Sequence, residues 1–591
     1  LKAPEFCRIS VGTVTRIQCS HSFAMLRLLS LVVTAVAHNH GGHSHDCMHM
    51  TTPVNYTCNT TTCEGLVTYS LSSCTASSKC PAVVIIHDWT GMDDYEMERA
   101  RMLAGLGYVA FAADIYGQGT PVENMQDWGA AAGAHRGNPD LYMSKIHAAL
   151  DTVKTLDFVD TSKIAVIGYC FGGSGVVNMA ILGSDVLGVV GYHSGIQTSS
   201  RVQWNATTNN AVVKAKVLLH SGVDDDAATD VAMLEQEFEA AGATYEIVRY
   251  GKDVYHSFTE WSAAFPGQAM YDLRADYRSW ESTKLFLKEL FTGLPAAERG
   301  PENDMLQTGL HNYTCNTTTC EGYVAYNSSA CTSSNKCPAV VIIQDWTGMD
   351  DYEKERARML AEHSYVAFAA DIYGFGTPAE NMQDWGAAAG AHRGNPDLYM
   401  SKIHAALDTV KTLDFVDTSK IAVIGYCFGG SGVVNMAILG SDVLGVVGYH
   451  SGIQTSSRVQ WNATTNNAVV KAKVLLHSGV DDDAATDVAM LEQEFEAAGA
   501  TYEIVRYGKD VYHSFTEWSA AFPGQAMYDL RADYRSWEST KLFLKELFMG
   551  LDGAARAECP TTTTSTIDQM TMNSAKSMGA FGLLLAVGLA F

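Results

Sequence analysis

Basic side chains are in short supply in this chain. Lysine and arginine total 40 against 65 aspartate and glutamate, a formal net charge of −25. Nucleic-acid binding needs a basic footprint to neutralise phosphates, so that class is excluded, and the excess acid serves solubility. Long apolar runs are missing at both ends. Leu28 to Ala37 and Gly579 to Phe591 each fall short of the roughly twenty residues a spanning helix needs. Charged residues are only 18% of the chain and hydrophobic residues 47%, a globular rather than a disordered balance. At 591 residues the chain is too long for one core, and roughly two to four domains are expected.

What is present at the ends reads as processing signals. Residues 1–24 open on Leu1 and read as untranslated leader or a mis-called start. Residues 25–37 have the basic start, apolar run and closing Ala35-Val36-Ala37 of a secretory signal peptide. Residues 38–52 form a histidine-rich arm. After cleavage at Ala37, the free amine of His38 and the imidazole of His40 would offer Cu(II) a square plane, although a solvated polar arm is the plainer reading. Residues 553–578 read as a Thr/Ser-rich stalk, and 579–591 as a tail of the GPI-signal kind. Thr564-Ser565-Thr566 and Asn573-Ser574-Ala575 are the candidate attachment triplets.

Of 14 cysteines, Cys58, Cys63, Cys74 and Cys80 form one cluster, and Cys315, Cys320, Cys331 and Cys337 repeat its spacing. Four thiolates suit zinc, but these spacings are not those of a zinc ribbon. Two disulfides per cluster in an oxidising compartment are expected, with the pairing left open. Asn-x-Ser/Thr acceptors at Asn55, Asn59, Asn205, Asn312, Asn316, Asn327 and Asn462 fit a glycosylated exterior protein.

Glu123 to Phe291 recurs without a change as Glu380 to Phe548. A period this long is a duplicated domain, not a solenoid. The domains are placed at 53–294 and 309–552, with a polar linker at 295–308 carrying Pro295 and Pro301. Within one copy, Pro81 to Ile86 is a continuous apolar run, as in a strand buried on both faces. Tyr95 to Leu106 reads as a helix, with Glu96, Glu98, Arg99 and Arg101 on its polar face. Strands at 108–113, 163–167, 187–192, 216–220 and 245–250 alternate with helices at 141–156, 227–241 and 279–290. The fold class is therefore α/β: two tandem domains, each a mostly parallel sheet with helices on both faces.

The chemistry centres on Gly168-Tyr169-Cys170-Phe171-Gly172, between a buried strand and a small-residue helix. This is a nucleophile elbow with cysteine in place of serine. A thiol at a helix N-terminus is favoured as thiolate. Its partners are expected after later strands, acid before histidine. Asp224, Asp225 and Asp226 compete for the acid, and His256 supplies the base, with His193 and His220 read as packing or pocket residues.

The set His87-Asp88-Trp89-Thr90-Gly91, Asp114-Ile115-Tyr116-Gly117, Gly168 to Gly173, Gly222-x-x-Asp225 and Tyr255-His256-Ser257-Phe258 resembles the dienelactone hydrolase family over nearly all of each repeat. The resemblance implies an α/β-hydrolase fold and a Cys-Asp-His triad. That selects Cys170, Asp225 and His256, and in the second copy Cys427, Asp482 and His513. It implies ester or lactone hydrolysis through a thioester, with no metal or organic cofactor. The backbone N–H groups of Phe171 and Trp89, or Phe428 and Trp346, would receive the oxyanion. Asp88 and Asp345 stand where the family usually has the glutamate that controls the thiol. Arg136 and Arg393 are candidate carboxylate-binding arginines. The family arginine after the triad histidine is replaced by Thr259-Glu260, which disfavours an anionic lactone. The expected partner is a small ester or lactone, and the expected place is the cell exterior, on a GPI anchor. The rival classes are a catalytically silent surface binding module and a metal-capturing protein working through the histidine arm.

Overall fold

The computed structural model describes residues 49–207, 213–297, 305–464 and 470–551. The first repeat begins with a hairpin, β1 (His49–Cys58) and β2 (Thr61–Ser70). It continues β3 (Cys80–Ile86), α1 (Asp94–Gly105), β4 (Val109–Ala113), α2 (Met125–Arg136), α3 (Pro139–Lys154), β5 (Val159–Tyr169) and α4 (Phe171–Ile181). Then come β6 (Gly188–Tyr192), β7 (Lys216–Gly222), α5 (Ala228–Ala240), β8 (Tyr245–Gly251), the short β9 (Ala264–Phe265) and β10 (Ala269–Met270), and α6 (Leu273–Thr292). The second repeat follows the same order. Its strands include β11 (Leu306–Cys315), β12 (Thr318–Asn327), β13 (Cys337–Ile343), β14 (Val366–Ala370), β15 (Val416–Tyr426), β16 (Gly445–Tyr449), β17 (Lys473–Gly479) and β18 (Tyr502–Gly508). Of its helices, α7 (Asp351–Glu362), α10 (Phe428–Ile438), α11 (Ala485–Ala497) and α12 (Leu530–Met549) answer to α1, α4, α5 and α6.

The apolar run of β3 lies between β4 and β5, parallel to both, and Ala82 to Ile86 are wholly buried. Helices cover both of its faces, so the strand shows no alternation. In each repeat the order is hairpin, then β2-β4-β3-β5-β6-β7-β8, with only the hairpin strands antiparallel. The cysteine cluster belongs to this hairpin and the turn after it. Cys58 is bonded to Cys63 and Cys74 to Cys80, with the same pairing at Cys315–Cys320 and Cys331–Cys337. Thiols held this way are not zinc ligands.

One expectation needs correction. Glu96 and Arg99 do not lie on a solvated face of α1; each is 1% exposed. Arg99 is paired with Asp276, and Glu96 closes a capping box with Asp93, so each charge is satisfied inside. Each repeat has the mostly parallel sheet expected of it, and the two sheets meet edge to edge. β8 pairs antiparallel with β18 about Val248 and Val505, joining the halves into one 16-stranded sheet. An unpaired β8 would leave a row of free N–H and C=O groups, and the second copy of the same strand satisfies them. The leader, the signal-like segment, His38, His40, the stalk and the apolar tail lie outside the described residues.

Candidate active site

Four loops meet at the carboxyl ends of the parallel strands, where ligands gather in open α/β sheets. They follow β3, β5, β7 and β8. The sharpest is the elbow at Cys170. Its φ of 50° and ψ of −105° put a non-glycine residue in the left-handed half of the map. Such strain persists only where the surroundings over-determine it. Here the Cys170 N–H donates to the Tyr192 carbonyl at 3.0 Å, and the Gly172 N–H to the His87 carbonyl at 3.0 Å. A Cβ on Gly172 would overlap the Ile86 carbonyl oxygen, and one on Gly168 the Gly172 carbonyl oxygen. Both glycines are therefore required by close backbone approach. Phe171 opens α4, so its N–H has no partner within the helix and lies beside the thiol. The loop carrying Trp89 is held by the Tyr116 hydroxyl, which donates to the Trp89 carbonyl at 3.0 Å.

The turn after β7 separates the three aspartates. Asp225 Oδ1 accepts from His256 Nδ1 at 2.8 Å, which leaves Nε2 for the thiol side. Asp226 is buried and occupied, accepting from Ser221 Oγ at 2.8 Å and Gln197 Nε2 at 3.2 Å. Asp224 is held above the usual carboxylate range by burial and by Asp253. Burial works against a charged His256, but Asp225 and the Cys170 thiolate outweigh it and lift the imidazole well above its ordinary range. The second half repeats this geometry. Cys427 has φ 49°, and His513 Nδ1 lies 2.8 Å from Asp482 Oδ1.

Asp88 stands in the loop after β3, and its field reaches His256. Its Oδ1 accepts from the Thr90 N–H at 2.7 Å and Thr90 Oγ1 at 2.6 Å, so it shapes its own loop. Burial pushes its carboxyl up to about 6, and Asp345 behaves alike. Glu260 is pushed up to about 7 by burial and by the fields of Asp88 and Asp93. One rim of the site is thus acidic. Across it, Arg136 stands 5.8 Å from the Phe171 ring and donates to Ser174 Oγ at 3.4 Å, with Arg393 in the matching position.

His87 and Gln344 differ in type but act alike. His87 Nε2 accepts from the Ile115 N–H at 3.1 Å, and Gln344 Oε1 from the Ile372 N–H at 2.8 Å. Burial lowers His87 to about 4, so a neutral acceptor serves in both halves.

Sequence reasoning missed the support behind His256. Thr259 Oγ1 meets Tyr95 Oη at 2.7 Å and His193 Nε2 at 2.8 Å, and Arg99 donates to its carbonyl at 3.2 Å. The His193 ring stands edge-on to His256 at 5.2 Å and is held neutral, chiefly by burial. Only the capping-box pattern Asp93-x-x-Glu96 was open to reading, and it marks the loop but not the anchor.

The model of the dienelactone hydrolase family matches residues 67–291 and again 321–548. The chain belongs to the dienelactone hydrolase family. It is a hydrolase acting on ester or lactone bonds. Relatives include a putative carboxymethylenebutenolidase of Methylorubrum extorquens, 26% identical over 30% of this chain and 63% of its own. An uncharacterized protein of Caenorhabditis elegans is 28% identical over 25% of this chain and 92% of its own. Among solved structures, m3DLH is 26% identical with a TM-score of 0.38, covering 41% of this chain and 99% of its own. A dienelactone hydrolase-like promiscuous phosphotriesterase from metagenomic libraries is 27% identical with a TM-score of 0.37, again over 41% and 99%. Each family match falls on one repeat, and both repeats carry the same loops.

Proposed function

We propose that each half cleaves carboxylic esters or lactones by acyl transfer to its cysteine. The observation that carries this reading is the Cys170 elbow opposite a His256 already oriented by Asp225 at 2.8 Å, repeated at Cys427, His513 and Asp482. His256 takes the thiol proton and Asp225 holds the Nδ1–H tautomer. The thiolate attacks the carbonyl carbon, and the oxyanion is received by the Phe171 and Trp89 N–H groups. The alcohol leaves with the proton from His256, and water then frees the acid from the thioester. Rapid quenching after mixing with an aryl acetate should find the peptide bearing Cys170 or Cys427 heavier by one acetyl group. Acetyl on any other residue, or on none during turnover, would remove the thioester step.

The substrate we infer is a neutral ester or lactone, since the acidic rim repels a carboxylate near His256. Glu260 is neutral below about 7 and charged above it, so the preference has a pH signature. The kcat/KM ratio of a neutral over an anionic ester should rise about fivefold between pH 6 and 8, a cost of about 1 kcal/mol to the anion. In a Glu260→Gln/Glu517→Gln chain the ratio should stay flat. A wild-type ratio that falls with pH would contradict this reading.

We further propose that the enzyme works outside the cell, attached to the surface. The four disulfides among the described residues support an oxidising compartment. The acceptor asparagines Asn55, Asn59, Asn205, Asn312, Asn316 and Asn462 are all exposed. The signal-like segment at 25–37 and the apolar tail at 579–591 support the same reading.

A further inference from the structure

The turn that carries Asp225 is held by one arginine. Arg249 of β8 donates through Nη1 to Ser221 Oγ at 2.8 Å and to the Asp226 carbonyl at 3.0 Å. These two contacts fix the two ends of the turn from which Asp225 reaches His256. The other edge of the same guanidinium is held by the opposite repeat. Nε and Nη2 donate to the two carboxylate oxygens of Glu492, on α11, at 3.0 and 3.2 Å. Both partners are almost wholly buried, so the pair works in a low dielectric with its geometry fixed by two parallel bonds. The reciprocal set is complete. Arg506 binds Ser478 Oγ at 2.8 Å and the Asp483 carbonyl at 3.0 Å, and is held by Glu235 of the first repeat at 3.0 and 3.3 Å.

We propose that each repeat positions the other's catalytic acid, Glu492 acting through Arg249 on the turn of Asp225, and Glu235 acting through Arg506 on the turn of Asp482. The charge of Glu492 is what keeps Arg249 from turning toward other acceptors, so its loss lets the Asp225 turn relax. Asp225 needs its geometry more than its fold does. Its side chain makes one hydrogen bond, to His256, and its Oδ2 has no partner among the described residues. A small rotation of the turn therefore goes directly into the His256 tautomer and orientation. Glu492 and Glu235 are positioning residues, far from any reacting atom. The proposal deepens the Cys-His-Asp reading given above and rests on it.

The test separates the two halves within the full chain. In a Cys427→Ala background only Cys170 turns over. There Glu492→Gln should lower kcat for an aryl ester about tenfold, with KM little changed, as expected when an orienting group is displaced. Glu235→Gln in the same background loosens only the silent site. It removes an equivalent buried pair and so controls for stability, and it should leave kcat within about twofold. In a Cys170→Ala background the two variants should exchange roles. Alkylation of Cys170 by iodoacetamide, followed by peptide mass against pH, gives a readout that needs no ester. Glu492→Gln should shift that profile and Glu235→Gln should not. Equal losses in both variants, whether in turnover or in folding, would make the pairs merely structural and overturn the proposal. No change in either would overturn it as well. A shifted alkylation profile with no ester turnover even in the parent would uphold the bracing and count against the hydrolytic reading instead.

Discussion

A chain with both Cys170→Ala and Cys427→Ala should lose aryl-ester turnover by about ten-thousand-fold or more, the scale seen when a nucleophile is removed from an assembled triad. The two single variants should each keep roughly half of the parent rate. Sequence identity from Glu123 to Phe291 and from Glu380 to Phe548 gives the sites the same elbow, acid, base and bracing arginine. The loops that differ do so without changing the hydrogen bond they make, as His87 and Gln344 show. The removed atom is one sulfur in a buried elbow, and alanine fits the space, so folding should be untouched. Steady-state kinetics on the three variants with far-ultraviolet circular dichroism as the fold check is sufficient. A double variant that still turns over at more than a few per cent of the parent would place the nucleophile elsewhere.

The second large effect concerns backbone, not chemistry. Gly172→Ala should destabilise the first half by about 3 kcal/mol or more and abolish its turnover in the Cys427→Ala background. The new Cβ would strike the carbonyls of Ile86 and His87, which belong to the end of a central strand and cannot retreat. Relief would require breaking the Gly172 to His87 hydrogen bond that holds the Trp89 loop against the elbow. Gly129→Ala provides the contrast. It lies on the exposed side of α2 with nothing within 4 Å of its would-be Cβ. It should stabilise by about 0.5–1 kcal/mol, since alanine costs less backbone entropy in a helix. Urea unfolding of both variants measures the difference, and similar midpoints would refute the close-approach argument.

Much of this site is readable without coordinates because its signals are local. The Pro81 to Ile86 run, the glycines about Cys170 and the order Cys170, Asp225, His256 each sit within a few residues of a strand end. The parts that escaped reading depend on partners far along the chain. Arg99 looks like a surface charge until Asp276, 177 residues away, is brought against it. Arg249 looks the same until Glu492 arrives from 243 residues away. The hairpin and α2 carry weak periodicity, and the small, polar stretch Met125–Arg136 gave no helical stripe to count. The joining of the two sheets is hard to read because its backbone pairing leaves no pattern in the sequence and its buried ion pairs, Arg249 with Glu492 and Arg506 with Glu235, link residues far apart along the chain. Tyr245 to Gly251 reads as one more buried strand of its own repeat, while the partner that covers its edge, β18, lies in the other.

The pairing of β8 with β18 also changes how the enzyme answers to dilution. Two separate copies meeting through this self-complementary edge would obey mass action and fall apart as their concentration dropped. One chain carrying both copies holds them at an effective concentration in the millimolar range, set by the connecting segment and not by how much protein is made. The paired state is therefore independent of abundance.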